Sequence, residues 1–452
     1  MKRKIYERLL DWKVSYASKC AVLIEGARRV GKSYIVSEFA RREYKHALIL
    51  DFAKVGSDIK EIFTEKLSNL DEFFMLLQIR THTTLEKGCS LIVFDEVQRF
   101  PRAREAIKYL VADGRYHYIE TGSLVSIKKN VEKIVIPSEE MKLRMYPMDF
   151  EEFLWAIGHE QVMTLVRDHY ERMKPLGATD HRLVMEDFRK YVVIGGMPQA
   201  VEAFAAECNL PEAIHAKRMI LDLYCDDIEK FAGRLKNKVR AIWKALPSEL
   251  SHYGRRFSPG AVGSDVRSRE LDAPFDWLEE SMTVNLAYNV TDPNVGFRLN
   301  EDRVACKCYM GDTGLLVTHA FAGGEKASFD IEGRLIADSI GVNKGMLVEN
   351  VVAQMLRASG CDLHFHFRDD RTDAGNRMEV DFLLTKPVLT RLHNVRPIEV
   401  KSNREYTITS LERFREKYRS VAAAPVVLHP NDVKTANGIV YLPLYMTPFL
   451  MQ

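Results

Sequence analysis

The sequence predicts an α/β fold in several bodies, and three stretches carry that prediction. Two are short apolar runs that end in a sharp chemical change: Cys20-Ala-Val-Leu-Ile-Glu25 stops at Gly26, and Leu91-Ile-Val-Phe94 stops at Asp95 and Glu96. Unbroken apolar runs of this length read as strands buried on both faces, as in a parallel sheet covered by helices. The third is a set of alternating apolar and polar segments late in the chain, at Thr283–Val290, Ala305–Met310 and Met378–Leu384, downstream of long helical patterns. At 452 residues the chain exceeds what one core holds, and about 150 residues per domain suggests roughly three bodies.

Composition excludes several classes. With 46% hydrophobic residues the chain can fill sizeable cores, so wholesale disorder is not expected. Met1-Lys-Arg-Lys-Ile-Tyr runs into Arg8, Asp11 and Lys13 rather than an apolar stretch. No secretory leader is therefore expected, and no segment reaches the ~18 apolar residues of a membrane span. Seven scattered cysteines fit a reducing compartment, so the expected location is the cytoplasm, with no membrane partner. Cys306 and Cys308 form a C-x-C without a second pair, which does not make a zinc site. The net charge of +2 is unevenly spread: Lys230, Arg234, Lys236, Lys238, Arg240, Lys244, Arg255 and Arg256 face only Glu249. Such a run is either a phosphate-facing surface or a solvated helix face.

The first strand leads into Gly26-Ala-Arg-Arg-Val-Gly31-Lys32-Ser33, after which Ile35, Val36, Phe39 and Ala40 recur at helical spacing. This is G-x-x-x-x-G-K-S between strand and helix, the context in which a glycine-rich loop turns its N–H groups on phosphates. The expected nucleotide contacts are Gly26, Ala27, Arg28, Arg29, Val30, Gly31, Lys32, Ser33 and Tyr34, with Lys32 on the β- and γ-phosphates and Ser33 on Mg²⁺. The strand Leu91–Phe94 delivers Asp95 to the same sheet edge as a second Mg²⁺ ligand, and Glu96 to polarise an attacking water, so ATP hydrolysis is expected as well as binding. Tyr116–Glu120 is a third strand, ending in Thr121-Gly122-Ser123, where Ser123 or Thr121 could sense the γ-phosphate; Ala47–Phe52 adds a fourth.

These residues resemble the bacterial AAA+ superfamily ATPases that carry a C-terminal restriction-endonuclease-like domain of unknown function. The likeness spans nearly the whole chain, through Gly26–Ser33, Phe94-Asp-Glu96, Glu120-Thr-Gly-Ser123, Tyr146-Pro-Met-Asp-Phe-Glu-Glu-Phe153, Gly195-Gly-Met-Pro-Gln-Ala200, Asp312-Thr-Gly-Leu-Leu316 and Pro397-Ile-Glu-Val-Lys401. It implies an α/β P-loop NTPase core of AAA type over 1–155, a helical lid over 156–235, a winged-helix-like module over 236–320 and a nuclease-like α/β domain over 321–452. Such relatives often form oligomeric rings and complete a neighbour's site with an arginine. Arg144 is the candidate here, although no Gly-Arg pair precedes Tyr146-Pro147.

Helical patterns at 160–173, 182–191 and 210–231 suit the lid. In the winged-helix reading, a helix from about Ala261 carries Arg267 and Arg269 into a DNA major groove, with Arg255 and Arg256 on phosphates; modules of this kind also pair proteins. Toward the C-terminus, Glu349 lies in a helical run, Asp381 on a strand, and Glu399 and Lys401 on one face of the next strand. This D…E-x-K set resembles the restriction-endonuclease core, with the three acids on Mg²⁺ and Lys401 activating water. Its alternative is a relic fold keeping the charges as a buried ion pair. Two functions follow as expectations: ATP hydrolysis coupled to a DNA-binding, nuclease-like region, or a nucleotide switch that binds a protein partner.

Overall fold

The structure, a computed structural model, describes residues 1–451 except 123–137, 208, 253, 322–324, 340–343, 371, 374 and 375. Ser123 therefore lies outside the described residues. The chain forms two compact units, Met1–Tyr146 and Pro147–Gln452.

The first unit is built on five strands, β1 Ala21–Gly26, β2 His46–Asp51, β3 Ser90–Asp95, β4 His117–Gly122 and β5 Glu140–Met145. All pair in parallel, in the order β2-β3-β4-β1-β5. The two apolar runs are β1 and β3, each buried at all six positions. Alternate residues feed two different layers, as a pleated strand requires. Val22 and Ile24 pack with Leu9, Trp12, Val36 and Phe39 from the helices Ile5–Ser15 and Lys32–Glu43. Leu23 faces the opposite layer with Phe63, Phe73, Phe74, Ile107 and Leu110 from the helices Ser57–Glu65, Leu70–Thr81 and Pro101–Asp113. A sheet covered on both faces leaves its strand ends as the exposed edge, and both phosphate-directed motifs emerge there.

In the second unit the expected helical patterns appear as Val162–Glu171, Ala178–Ile194 and Leu210–Phe231. The segments Gly195-Gly-Met-Pro and Asp312-Thr-Gly, far apart in sequence, lock together. Asp312 Oδ2 accepts from Gly196 N at 2.6 Å and Oδ1 from Leu315 N at 3.0 Å. A Cβ at Gly314 would come within 2.2 Å of the Ile194 carbonyl oxygen, so that position tolerates no side chain. The Met148 N–H also donates to Gly196 O at 2.7 Å.

Two sheets complete this unit. β6 Val284–Val290 and β7 Glu301–Met310 join β8 Leu363–Arg368 and β9 Met378–Val380 in the order β7-β6-β8-β9. β10 Phe382–Thr385, β11 Val395–Val400, β12 Val426–His429, β13 Lys434–Ala436 and β14 Ile439–Pro443 form the other, in the order β10-β11-β12-β14-β13. The expected helix from Ala261 is not formed. Residues 259–270 make 3₁₀ turns at Pro259–Ala261 and Ser268–Glu270, and helix starts only at Asp272. Pro259, Gly260 and Gly263 within five residues break the helical pattern. Nor do β6 and β7 stand apart as a two-stranded wing: β6 is an inner strand, antiparallel to β7 and parallel to β8.

Candidate nucleotide site and a second acidic cluster

The phosphate loop is shaped by two glycines. A Cβ at Gly26 would lie 2.6 Å from the Met145 carbonyl oxygen, and Gly31 takes φ +98°. The 12-residue helix that follows has no side-chain cap, so its first-turn N–H groups and its dipole serve the loop. Lys32 Nζ is buried and donates to Gly26 O and Ala27 O, each at 2.9 Å, which brings the ammonium to the loop itself. Arg28, Arg29, Ser33 and Tyr34 are exposed along its outer side and Val30 is buried beneath.

β4 lies between β1 and β3, and this order brings three side chains to one point. Ser33 Oγ donates to Asp95 Oδ1 at 2.9 Å, and the Thr121 hydroxyl donates to the same oxygen. The Glu96 N–H donates to Thr121 Oγ1 at 3.2 Å, and its carboxylate accepts from Gln98 Nε2 at 2.7 Å. Glu96 has φ +55° and ψ +42°, left-handed for a residue with a Cβ, the sort of strain that collects at functional sites. Uncapped helix N–H groups fit a polyphosphate, and a carboxylate flanked by hydroxyls fits a hard divalent cation such as Mg²⁺. Arg144 is exposed on β5, in register with Glu25 at the end of β1. Glu120, on β4, is fully buried with no hydrogen-bond partner for either carboxylate oxygen among the described residues. Burial pushes its carboxyl well above the usual range, and the Glu140 charge adds to the shift.

The second cluster is built differently. The segment read as one strand through Asp381 is two, β9 and β10, and Asp381 sits at the crossing between sheets, its Oδ2 accepting from Val400 N at 2.8 Å. Glu349, on the helix Lys344–Ala358, accepts from Tyr309 OH at 2.6 Å and Lys307 Nζ at 3.2 Å, and also pairs with Arg255. Lys307, fully buried on β7, lies 3.0 Å from Glu379 and 3.6 Å from Asp381 as well. Lys401 Nζ holds Glu399 Oε1 at 2.5 Å. Burial, with the Glu349 charge, pushes the Asp381 carboxyl up to about 7, and burial raises that of Glu399. Among the described residues no three acids, histidines or cysteines are placed to hold a metal. Of the expected Mg²⁺ set, Glu349 and Asp381 stand beside the Lys307 ammonium, while Glu399 is held by Lys401. Lys307, Tyr309 and Glu379 were not anticipated from sequence. The available signal was a lysine between Cys306 and Cys308 in the otherwise apolar segment Ala305–Met310.

The four arginines expected on DNA separate into two kinds. Arg255 is tied to Glu349 inside this network, and the Arg256 guanidinium lies 3.5 Å over the Phe367 ring. Arg267 and Arg269 are exposed on the turn before Asp272. The basic run upstream is partly neutralised, with Lys236 and Arg240 on Glu229 and Lys238 on Glu270 at 2.6–3.1 Å.

Among the described residues no helix is long and apolar enough to cross a membrane. Residues 185–326 match a family described as a domain of unknown function (DUF8612), and residues 344–446 another (DUF4143); neither description assigns an activity. No curated protein matches the chain. Among solved structures it is similar to the Walker-type ATPase PABY2304 of Pyrococcus abyssi, at 14% identity over 70% of this chain and 95% of that one, with a TM-score of 0.39. It is also similar to Drosophila ORC bound to DNA (11%, 74% and 95%, 0.27) and to Cdc6p from Pyrobaculum aerophilum (11%, 75% and 94%, 0.26). Likeness this distant supports no inference about partners. Residues 18–154 match the family described as AAA domain, and this span holds both Gly26–Ser33 and Asp95–Glu96. The first unit therefore carries a P-loop motif within a span that matches the AAA domain family.

Proposed function

We propose that the first unit binds ATP with Mg²⁺ and hydrolyses it. The observation that carries this reading is the Ser33–Asp95 hydrogen bond at 2.9 Å, made one residue from Glu96 and on the residue next to Lys32. The loop N–H groups and Lys32 bind the β- and γ-phosphates, exchanging the two loop carbonyls that Lys32 now holds for phosphate oxygens. Ser33 and Asp95 would hold Mg²⁺, which would supply neutralisation of the charge that builds on the transferred phosphoryl group. Thr121 keeps the Asp95 carboxylate turned toward Ser33, and Glu96, steadied by Gln98, orients the attacking water. Arg144 is the residue through which a second copy would be engaged.

The test is ATP turnover by the purified protein with and without Mg²⁺. Glu96→Gln is expected to bind ATP as the parent does and to lose turnover by about 10²- to 10⁴-fold. Normal hydrolysis by Glu96→Gln would remove the water-orienting role, and absence of ATP binding by the parent would remove the reading.

For the second unit, the reading as a DNA-binding nuclease draws on exposed Arg267 and Arg269 and on the set Glu349, Asp381, Glu399 and Lys401. The reading as a nucleotide switch for a protein partner draws support from one observation, the occupation of Glu349 and Asp381 by Lys307 and of Glu349 by Arg255. We favour the switch. Mg²⁺-dependent nicking of supercoiled DNA that disappears in Asp381→Ala would reverse that preference.

A further inference from the structure

Arg3 lies ahead of the first helix and outside every motif described above, yet it is only 6% exposed. Its guanidinium spans two backbone carbonyls that are far apart in sequence. Nη1 donates to Val30 O at 2.9 Å and Nη2 to Tyr146 O at 2.7 Å. The first acceptor is inside the phosphate loop, next to Gly31. The second is the last residue of the first unit, one step beyond β5.

The geometry has a direct consequence for the loop. In a trans peptide the carbonyl oxygen and the following N–H point in opposite directions. Fixing Val30 O on Arg3 therefore turns the Gly31 N–H away from the guanidinium, and a cation on the carbonyl polarises that N–H into a stronger donor. At the loop's other end, Gly26 pairs in register with Met145 and sits too close to its carbonyl for a Cβ. The loop is thus gripped at Gly26 by the end of β5 and at Val30 by a guanidinium that also holds the carbonyl after β5. This makes a closed circuit from loop to strand exit. Both acceptors are met by the rigid fork of one arginine; a lysine ammonium is a single point donor that cannot reproduce the fork.

We propose that Arg3 is a positioning residue of the nucleotide site, setting the Val30–Gly31 peptide for phosphate and tying the loop to the carbonyl at which the chain leaves the first unit. This rests on the reading of Gly26–Ser33 as an ATP site. In the circuit, a nucleotide that shifts the loop also shifts the hydrogen bond on Tyr146.

The experiment uses the full chain and a fluorescent ATP analogue with Mg²⁺, comparing the parent with Arg3→Gln and Arg3→Lys, alongside melting without nucleotide and amide exchange at Met145, Tyr146 and Met148 with and without ATP. The expected result is affinity weakened about tenfold in Arg3→Gln and about threefold in Arg3→Lys, as for a hydrogen bond to a charged donor removed wholly or in part. The melting midpoint stays close to the parent's, and ATP slows exchange at these amides in the parent but not in Arg3→Gln. Parental affinity and parental exchange in Arg3→Gln would overturn the assignment; should that variant fail to fold, parental behaviour of Arg3→Lys would do so. A parent that binds no ATP would instead overturn the site reading on which the proposal stands.

Discussion

The two acidic sites of this chain differ in what stands beside the carboxylate. Asp95 is approached by two hydroxyls, from Ser33 and Thr121. Glu349, Glu379 and Asp381 are approached by an ammonium and a guanidinium, from Lys307 and Arg255. Hydroxyls leave a carboxylate its charge and its capacity for a cation from solution, whereas buried protein cations use both. An acid pattern in sequence does not separate the two cases; the partner does.

The contrast can be broken most sharply at Lys307. Lys307→Met leaves three carboxylates near a site without its shared cation, and stability measured by chemical denaturation is expected to fall by about 3–5 kcal/mol. A fall below about 1 kcal/mol would mean the acids do not depend on it. Asp95→Asn should behave oppositely. Its effect is expected on ATP turnover, down by about 10²-fold, equivalent to about 2.7 kcal/mol of barrier, with thermal stability nearly unchanged.

Asp381 sharpens the comparison through pH. Burial and the Glu349 charge hold its carboxyl near 7 in the folded protein, against Lys307, which works the other way. Between the ordinary carboxylate range and about 7 the folded state keeps a proton that the unfolded state has released, so stability falls as pH rises through that window. Asp381→Asn is expected to flatten that part of the stability profile, read by urea midpoints from pH 4 to pH 8. An unchanged slope would place the titration elsewhere. The smallest effect is expected from Arg267→Ala with Arg269→Ala. If DNA binds at that turn, affinity weakens and the salt dependence shallows by about one unit of slope for each phosphate no longer neutralised; unchanged binding curves would move any DNA site away from it.

Much of the first unit was legible because its information is local. A buried strand is a short apolar run, and Gly26, Gly31, Lys32, Ser33 and Asp95 each announce their chemistry by type and spacing. The position of β4 between β1 and β3 was not local: it is set by strand order, and it alone explains why Thr121 reaches Asp95. The second unit was harder for the same reason. Residues 378–384 alternate like one strand, but Asp381 hands the chain from one sheet to another, a break that periodicity does not record. Arginines at 267 and 269 suggested a helix face, while Pro259, Gly260 and Gly263 set the turns that formed. Arg3 carries no motif, and its role follows only from two carbonyls brought together across the fold.

The pairing of β6 with β8 has a consequence in time. Ala287 finds its partner at Leu363, and β8 in turn pairs with β9, ending at Val380. All five strands of the first unit, by contrast, have been synthesised once Met145 is made. At about 5–20 residues per second on the ribosome, the roughly 230 residues in between take on the order of ten to fifty seconds. Throughout that interval the strands around the nucleotide loop are all present, whereas β6 and β7 are made late in it, by Met310, and then wait for β8 and β9. On the proposed reading of Gly26–Ser33, the first unit would meet ATP while the second is still being made.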